Sequence, residues 1–340
     1  MPIRRRHFTT MVSIELIERL RDLSESRKVR ISRLTDEAIF DLLCKYAKED
    51  GITMTRIESE PRTTKHVICI ANHKGGVGKT TTTAALAYLF AKKGGYRVLL
   101  IDADAQINLT QTMETPADGR RDIRGAVLSQ AINADVPIDT FILPTQYKDV
   151  DMIPGSLALE SESFTAAVQK AKLEEGINPW EEVVSRVKEL NHYDIILMDS
   201  HPSIGIDTLL PMQACDDILI PLEASEKSVA GLFQVYRNIV RSRRRANPKI
   251  RLLGYFFNKV KTNTASSRQY IPSAREAIPE GIRQANHGQD EGVAFQATIR
   301  DSEDAKKADN FHCAVTERFH SKKIAKDFEK LYDEVVEALA

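Results

Sequence analysis

A glycine-rich stretch at residues 74–80 carries the residue types that bind phosphate groups. Its members are Lys74, Gly75, Gly76, Val77, Gly78, Lys79 and Thr80. Glycines let a loop approach a ligand closely, so that backbone N–H groups at a helix N-terminus can bind phosphate oxygens. In this pattern Lys79 reaches the β- and γ-phosphates of a nucleotide, and the Thr80 hydroxyl binds Mg²⁺. His73 occupies the place of the first glycine of the strict pattern, and Lys74 is a second lysine that the pattern does not require.

Acidic residues at the ends of two predicted strands complete a nucleotide site. Asp199 closes the buried run YDIILMD, where a carboxylate suits a Mg²⁺ partner that acts through water. Asp102 and Asp104 follow another strand in LLIDADAQINLT, where one carboxylate could orient the attacking water. The other is a solvated strand terminus or a helix cap, and we favour Asp102 for that role.

The chain from about residue 67 alternates strand runs with helical stretches. The predicted strands are 67–72, 96–102, 193–199, 216–222 and 250–258, and the predicted helices include 80–94, 180–191 and 227–246. Strands that alternate with helices predict an α/β fold with a mostly parallel sheet and helices on both faces. Ligands of such sheets bind beyond the carboxyl ends of the strands.

Composition divides the chain into a short N-terminal unit, a linker and a long domain. Residues 51–66 are polar, contain Pro61 and lack periodicity, so the predicted organisation is 1–50, a linker at 51–66, and 67–340.

The charge balance of the chain is neutral, with 48 Lys plus Arg and 48 Asp plus Glu, and net charge therefore excludes no class of partner. The sequence shows no signal peptide, no run of about 18 apolar residues and no CxxC spacing among its four cysteines. We expect a soluble cytoplasmic protein with reduced thiols.

Three motifs, in this order, resemble those of the ParA/MinD class of ATPases. KGGVGKTT is similar to the deviant phosphate loop of the class, LLIDADAQINLT to its second motif DLDPQGNLT, and ILMDSHPSIG to its third motif IDTPPSLG. The resemblance runs from about residue 67 to the C-terminus and implies a P-loop NTPase fold. Within the class the chain looks most like the ParA DNA-partition ATPases. Ala105 departs from a usual proline, and Ser200-His201 replaces the usual Thr-Pro.

The resemblance implies roles for individual residues. In this class the extra lysine, here Lys74, crosses an ATP-sandwiched homodimer to the nucleotide of the partner subunit, where it would act as an arginine finger does. Asp104 is implied to orient the attacking water, and Asp199 to be the Mg²⁺ partner. Thr81 is implied as a phosphate contact and Asn258 as an adenine contact. The implied activity is slow, Mg²⁺-dependent hydrolysis of ATP.

The first 50 residues form a small unit of one predicted strand and two predicted helices. Residues 7–14 alternate as a strand does, and the second helix begins at Ser32. A unit of this size cannot bury a core alone, and pairing with a second copy would solve that. The order resembles the ribbon–helix–helix fold, in which paired strands enter the DNA major groove. The predicted DNA contacts are Arg4, Arg5, Arg6, Thr9, Met11, Ser13 and Ser32. The alternative is a dimerisation arm that never touches DNA.

The stretch 227–275 is strongly basic and contains no Asp or Glu. Four arginines fall on one face of a predicted helix: Arg237, Arg241, Arg244 and Arg245. They lie beside a predicted apolar face of Val229, Phe233, Tyr236 and Val240. Three further basic residues complete the predicted surface: Lys259, Lys261 and Arg268. A solvated basic helix is the alternative for single residues, but the whole run predicts salt-sensitive, non-specific contact with DNA phosphates.

The leading hypothesis is a DNA-partition ATPase that uses ATP and Mg²⁺. ATP would drive homodimerisation and DNA binding on the nucleoid, and hydrolysis stimulated by a centromere-binding, ParB-like partner would release the DNA. The N-terminal unit would add operator binding and repression of its own operon. One alternative is a transcriptional regulator in which ATP is only a conformational ligand. A membrane-surface ATPase of the MinD type is disfavoured because the last residues, DFEKLYDEVVEALA, are acidic.

Overall fold

The computed structural model describes residues 62–113, 128–133, 136–172, 176–203, 205–261, 264–289 and 291–340. The chain divides into two compact units, 1–60 and 61–340, and the described residues all belong to the second. The predicted N-terminal strand and helices, with all their proposed DNA contacts, lie outside the described residues. The boundaries 1–50, 51–66 and 67–340 stay predictions, and the first strand of the described part begins at His66.

The second unit contains one sheet of eight strands in the order β3-β4-β2-β5-β1-β6-β7-β8. The strands are β1 His66–Ile70, β2 Val98–Ala103, β3 Leu143–Pro144, β4 Val150–Ile153, β5 Ile195–Ser200, β6 Asp217–Leu222, β7 Arg251–Val260 and β8 Val293–Arg300. Every neighbouring pair is parallel except β3 with β4, which is antiparallel. The strand that leads into the glycine-rich loop, β1, therefore lies between β5 and β6 near the middle of the sheet.

Helices connect the strands and cover the sheet. They are α1 Lys79–Lys92, α2 Asn108–Met113, α3 Leu128–Asn133, α4 Glu162–Lys170, α5 Pro179–Glu189, α6 Ile206–Gln213, α7 Glu226–Arg245, α8 Ala265–Ala285, α9 Glu303–Asn310, α10 Val315–Arg318 and α11 Lys323–Leu339. Two short 3₁₀ helices span Ile138–Phe141 and Leu157–Glu160. Helices α5, α7 and α8 pack on one face of the sheet, and α1, α10 and α11 pack on the other. This two-sided cover confirms the predicted α/β class.

Burial explains which strands could be predicted from the sequence. All residues of β2, β5 and β6 are buried, because helices cover both faces, and such strands appear as continuous apolar runs. The predicted strands correspond to β1, β2, β5, β6 and β7. The prediction missed β3, β4 and β8. The first two have only two and four residues, and β8 lies at the edge, where only some of its residues are buried.

The last helix, α11, covers the edge strand β8. Side-chain carboxylates of α11 accept hydrogen bonds from backbone N–H groups of that strand, Glu334 from Ala297 at 3.0 Å and Asp327 from Arg300 at 3.2 Å. The carboxylates of α11 thus satisfy backbone N–H groups of β8 that would otherwise be free to pair with another chain. The apolar side of α11, including Phe328 and Leu331, is buried against the sheet. No helix among the described residues is long and apolar enough to cross a membrane.

The packing of α11 gives a stability prediction. Phe328 is fully buried, and we expect Phe328→Ala to lower the free energy of unfolding by about 3–5 kcal/mol, because the smaller side chain leaves a cavity. Urea denaturation followed by fluorescence measures the effect in this unit, since Trp180 is the one tryptophan of the chain and is buried in it. Lys326→Ala, an exposed change on the same helix, is the control and should leave the midpoint within error of the parent. Equal effects of the two changes would contradict the assigned packing.

Candidate functional site

The glycine-rich loop joins the end of β1 to the start of α1 at the carboxyl edge of the sheet. Gly76 and Gly78 have positive φ angles of 71° and 90°, which favour glycine. A Cβ atom on Gly78 would also overlap the side-chain amide of Asn258. No side chain caps the first turn of α1, so its N–H groups are available to an anionic ligand. The loop thus has the backbone shape of a phosphate cradle.

Lys79 is the first residue of α1 and is almost fully buried beneath this loop. Its ammonium group lies 3.5 Å from the backbone carbonyl oxygen of Lys74. Burial lowers the pKa of the Lys79 ammonium group below its ordinary value, and the carboxylates of Asp199 and Asp104 oppose that shift. The cation is therefore held close to both acidic residues, where phosphate oxygens would add further negative charge.

Thr80 and Asp199 form a direct pair at the same edge. The Thr80 hydroxyl donates a hydrogen bond of 2.6 Å to Oδ2 of Asp199, which lies in β5. The other oxygen, Oδ1, is buried and has no hydrogen-bond partner in the described part of the chain. Burial, followed by repulsion from Asp102, raises the pKa of Asp199 to about 8 against the opposing effects of Thr80 and Lys79. A hydroxyl beside an unpaired carboxylate oxygen fits a divalent cation with oxygen ligands.

Asp102 is buried and hydrogen-bonded within the protein rather than exposed to solvent. It is fully buried, and its carboxylate accepts hydrogen bonds from the Thr110 N–H at 2.8 Å, the Thr110 hydroxyl at 2.6 Å and the Asp104 N–H at 3.2 Å. The Thr110 hydroxyl also accepts the N–H of Gly155 at 2.9 Å. Burial raises the pKa of Asp102 to about 6, although these hydrogen bonds oppose the shift. The suggestion of a solvated terminus was wrong, and the suggestion of a helix cap fits, since Thr110 lies in the first turn of α2.

Asp104 follows β2 and points into the site from the loop that Asp102 organises. Its Oδ1 accepts the backbone N–H of Gln106 at 2.9 Å, and its side chain is only 7% exposed. The imidazole of His201 lies 3.9 Å from the same oxygen. Asp104 lies close enough to Lys79 and Asp199 to affect the pKa of both. Its role in orienting water stays a prediction, and the structure adds a histidine that the motif analysis had treated only as a departure.

Lys74 pairs within its own chain. Its ammonium group forms a salt bridge with the carboxylate of Glu223, which follows β6, and its backbone N–H donates to Oδ1 of Asn72 at 3.0 Å. The Asn72 amide donates in turn to the carbonyl of Pro221 at 2.7 Å, which ties the loop to the end of β6. The Lys74 side chain remains 43% exposed. The sequence analysis missed Glu223, because 149 positions separate the two residues and no motif marks the acidic one.

Two other predicted nucleotide contacts lie near the loop. Thr81 is half-buried in the first turn of α1. Asn258, in β7, is buried, and its amide donates to the carbonyl of Val77 at 2.7 Å while its oxygen accepts the N–H of Lys259 at 2.9 Å. In this structure Asn258 holds the loop in place. Its role as an adenine contact stays a prediction.

The predicted basic surface falls into two groups. The arginines Arg237, Arg241, Arg244 and Arg245 are all exposed along α7. The buried face of this helix includes Leu232, Val235, Tyr236 and Ile239, a shift from the predicted apolar face, of which only Tyr236 is fully buried. Since α7 descends from the carboxyl end of β6 to the amino end of β7, its last arginines lie at the edge opposite the nucleotide loop. The exposed Lys259, Lys261 and Arg268 lie instead around the carboxyl end of β7, on the side of that loop.

Both parts of the chain are similar to known protein families. Residues 65–252 match a family model described as an AAA domain, and residues 4–47 match one described as a ribbon-helix-helix domain. An uncharacterized protein of Methanocaldococcus jannaschii is 33% identical over 221 residues, which are 63% of this chain and 80% of that protein. The chromosome partitioning protein ParA of Caulobacter vibrioides is 30% identical over 222 residues, or 64% of this chain and 79% of that protein. The ATP complex of a McdA variant from Cyanothece shares the fold, with a TM-score of 0.62 and 24% identity over 82% of this chain and 97% of that one.

The hydrogen bonds around Asp102 give a second stability prediction. We expect Thr110→Val to lower the free energy of unfolding by about 1–3 kcal/mol, because the buried Asp102 carboxylate loses one of its three donors and the Gly155 N–H loses its acceptor. Thr112→Val is a matched control, since that hydroxyl bonds only to the Asn108 carbonyl within the same helix. Urea denaturation of both variants measures the difference, and equal losses would contradict the assigned role of Asp102.

Proposed function

The chain belongs to the AAA-domain family of ParA-type P-loop ATPases and carries a ribbon-helix-helix domain at its N-terminus, and from this premise we propose that it is a DNA-partition ATPase. The proposal rests above all on one arrangement. An exposed second lysine, Lys74, stands at the mouth of a loop whose interior holds Lys79, Thr80 and Asp199. ATP binding with Mg²⁺ would make the site competent, and slow hydrolysis would end that state.

The residues of the loop divide the work of nucleotide binding. The N–H groups from Gly75 to Thr81 would bind phosphate oxygens, and the Lys79 ammonium group would lie against the β- and γ-phosphates. Thr80 and Asp199 would hold Mg²⁺, which when bound neutralises negative charge on the phosphates. Because Asp199 has a raised pKa, binding of the cation would release a proton. Asp104 would orient the attacking water, and Asn258 would lie beside the adenine.

The exposure of Lys74 supports a homodimer. Within one chain its ammonium group reaches Glu223, while Lys79 occupies the position beneath the loop. We infer that a second copy supplies a stronger anionic partner, the phosphates of its own nucleotide, and that Lys74 exchanges Glu223 for them. A cation contributed by the opposite subunit would stabilise charge that develops on the transferred phosphate. ATP would thereby be the signal for dimerisation.

DNA is the proposed partner of the ATP-bound dimer. The exposed arginines of α7 support non-specific contact with phosphates, and the group around Lys259 adds exposed basic residues on the side of the nucleotide loop. A centromere-binding, ParB-like protein is the proposed stimulator of hydrolysis. The protein would then act in the cytoplasm, on the nucleoid.

The N-terminal ribbon-helix-helix domain supports a second candidate function. A domain of that class binds operator DNA through paired strands, so the chain could repress its own operon with ATP as a conformational ligand only. Measured ATP turnover separates this candidate from the first. A membrane-surface function is not supported, because the apolar side of α11, including Phe328 and Leu331, is buried in the core.

The central prediction concerns Lys74. We expect the parent to bind non-specific duplex DNA with ATP at least tenfold more tightly than with ADP or without nucleotide, and Lys74→Ala to lose that difference, because its dimer would lack the cation that crosses to the partner's phosphates. Fluorescence anisotropy of a labelled duplex, measured beside ATP turnover, tests this. Lys92→Ala, an exposed lysine at the other end of α1, is the control and should behave as the parent.

Other outcomes of this experiment would redirect the proposal. Equal DNA binding in all nucleotide states would contradict an ATP switch and leave DNA binding to the N-terminal domain. ATP-dependent binding without measurable turnover would favour the regulatory candidate.

The arginines of α7 give a prediction of salt dependence. We expect Arg241→Ala combined with Arg244→Ala to weaken DNA binding uniformly across sequences and to reduce the slope of log affinity against log salt by about 1 for each lost phosphate contact. The ATP turnover without DNA should stay at the parental value, because both side chains lie away from the nucleotide loop. Lys330→Ala, an exposed charge change on α11, serves as the control. An unchanged slope would show that these arginines of α7 do not contact DNA phosphates.

A further inference from the structure

A histidine stands beside the carboxylate that we assign to the attacking water. His201 follows β5 directly, and its Nε2 lies 3.2 Å from Oε1 of Glu160 and 3.9 Å from Oδ1 of Asp104. The His201 side chain is 21% exposed, and that of Asp104 is 7% exposed. The motif of the family has a proline at this position, and a proline side chain offers no hydrogen bond. His201 therefore provides a hydrogen-bonding side chain at a position where the family pattern has none.

The two carboxylates decide which ring nitrogen of His201 carries the proton. Nε2 faces Glu160 and Asp104, and ionised carboxylates only accept hydrogen bonds. Nδ1 is buried and has no hydrogen-bond partner among the described residues. The tautomer with the proton on Nε2 satisfies this arrangement. One N–H group is thus offered to two acceptors, with Glu160 within hydrogen-bond distance and Asp104 just beyond it.

The backbone around His201 is tied to the nucleotide loop. The Thr208 hydroxyl donates to the carbonyl of His201 at 2.8 Å and lies 3.0 Å from the hydroxyl of Ser203. Nδ1 of His73, the residue just before Lys74, contacts the carbonyl of Ser203. These contacts connect the nucleotide loop to the backbone of His201.

The ring of His201 borders a small, mostly apolar cavity that Glu160 also lines. The volume of this cavity is about 30 Å³. Its lining includes Ala103, Ala105, Leu159, Phe164 and Trp180. Ala105 is the second departure from the family motif, where a proline would fill part of this space. The two departures, Ala105 and His201, thus line the same cavity, which leaves space beside the imidazole.

We propose that His201 is a positioning residue for ATP hydrolysis, which donates its Nε2–H to Asp104 and is held by Glu160 in the resting protein. This inference rests on the proposed ATPase function. Oδ1 of Asp104 already accepts the N–H of Gln106, and a second donor on that oxygen would fix the carboxylate plane. The other carboxylate oxygen then faces the attacking water. His201 acts through Asp104 and does not touch the nucleotide.

Steady-state ATP turnover of a small set of variants tests the inference. We expect His201→Ala to lower kcat about tenfold without changing KM for ATP, because the carboxylate loses its orientation while nucleotide binding is untouched. His201→Phe keeps a ring of similar size but has no hydrogen-bond donor, and it should show the same loss of kcat. This variant therefore distinguishes the effect of losing the N–H donor from the effect of losing side-chain volume. His201→Gln restores a donor and should recover most of the turnover. Glu160→Ala should raise kcat, because it removes the competing acceptor, and the exposed Glu162→Ala should match the parent.

A double variant decides whether His201 acts through Asp104. Combining His201→Ala with Asp104→Ala should give the same kcat as Asp104→Ala alone, because an orienting residue has no effect once its target is absent. A further tenfold loss in the double variant would overturn the inference, as would parental turnover in His201→Phe or a fall in kcat in Glu160→Ala. A parent without ATP turnover would overturn the proposed function itself. An active parent with an unaffected His201→Phe would overturn this inference alone.

Discussion

The buried charges at the carboxyl edge of the sheet are the constraint on which the site depends. Asp102 and Asp199 are register partners on β2 and β5, and both are fully buried. Each carboxylate raises the energy of its ionised neighbour, and an uncompensated buried charge costs several kcal/mol. Burial raises the pKa of Asp199 to about 8, and the Thr80 hydroxyl and the Lys79 ammonium group oppose this shift only in part. A further cation bound at this site would reduce the cost of the buried carboxylates.

Two identical side chains in the same register have different functions because their partners differ. The Asp102 carboxylate accepts hydrogen bonds from two backbone N–H groups and one hydroxyl, and it shapes the loop that carries Asp104. Asp199 accepts one hydroxyl and keeps Oδ1 unpaired. A satisfied buried carboxylate stabilises a loop, whereas an unsatisfied one is costly unless a ligand completes it. The local hydrogen bonds thus distinguish Asp102, which stabilises a loop, from Asp199, which we propose as a Mg²⁺ partner.

The sequence predicted the central strands and the nucleotide loop because both are local patterns. The completely buried strands appear as apolar runs, and the spacing from Lys74 to Thr80 occurs within one loop. The pairing of Lys74 with Glu223 could not be predicted, since it depends on the tertiary approach of the β1 and β6 ends. The division of the basic residues into two groups depends equally on topology, because α7 crosses the sheet before β7 returns. An edge strand such as β8 is hard to recognise in the sequence, because its partly buried pattern resembles that of other half-buried segments.

The salt bridge between Lys74 and Glu223 is weak enough to act as a reversible holder of the lysine. Their side chains are 43% and 30% exposed, and ion pairs at such sites contribute about 0–1 kcal/mol. A phosphate carries more charge than a carboxylate, and in a closed interface it would meet the ammonium group away from solvent. Glu223 therefore keeps Lys74 from lying unpaired on a single chain without opposing its transfer to a partner's nucleotide. A weak resting pair is therefore compatible with the proposed transfer of Lys74 to the nucleotide of a partner subunit.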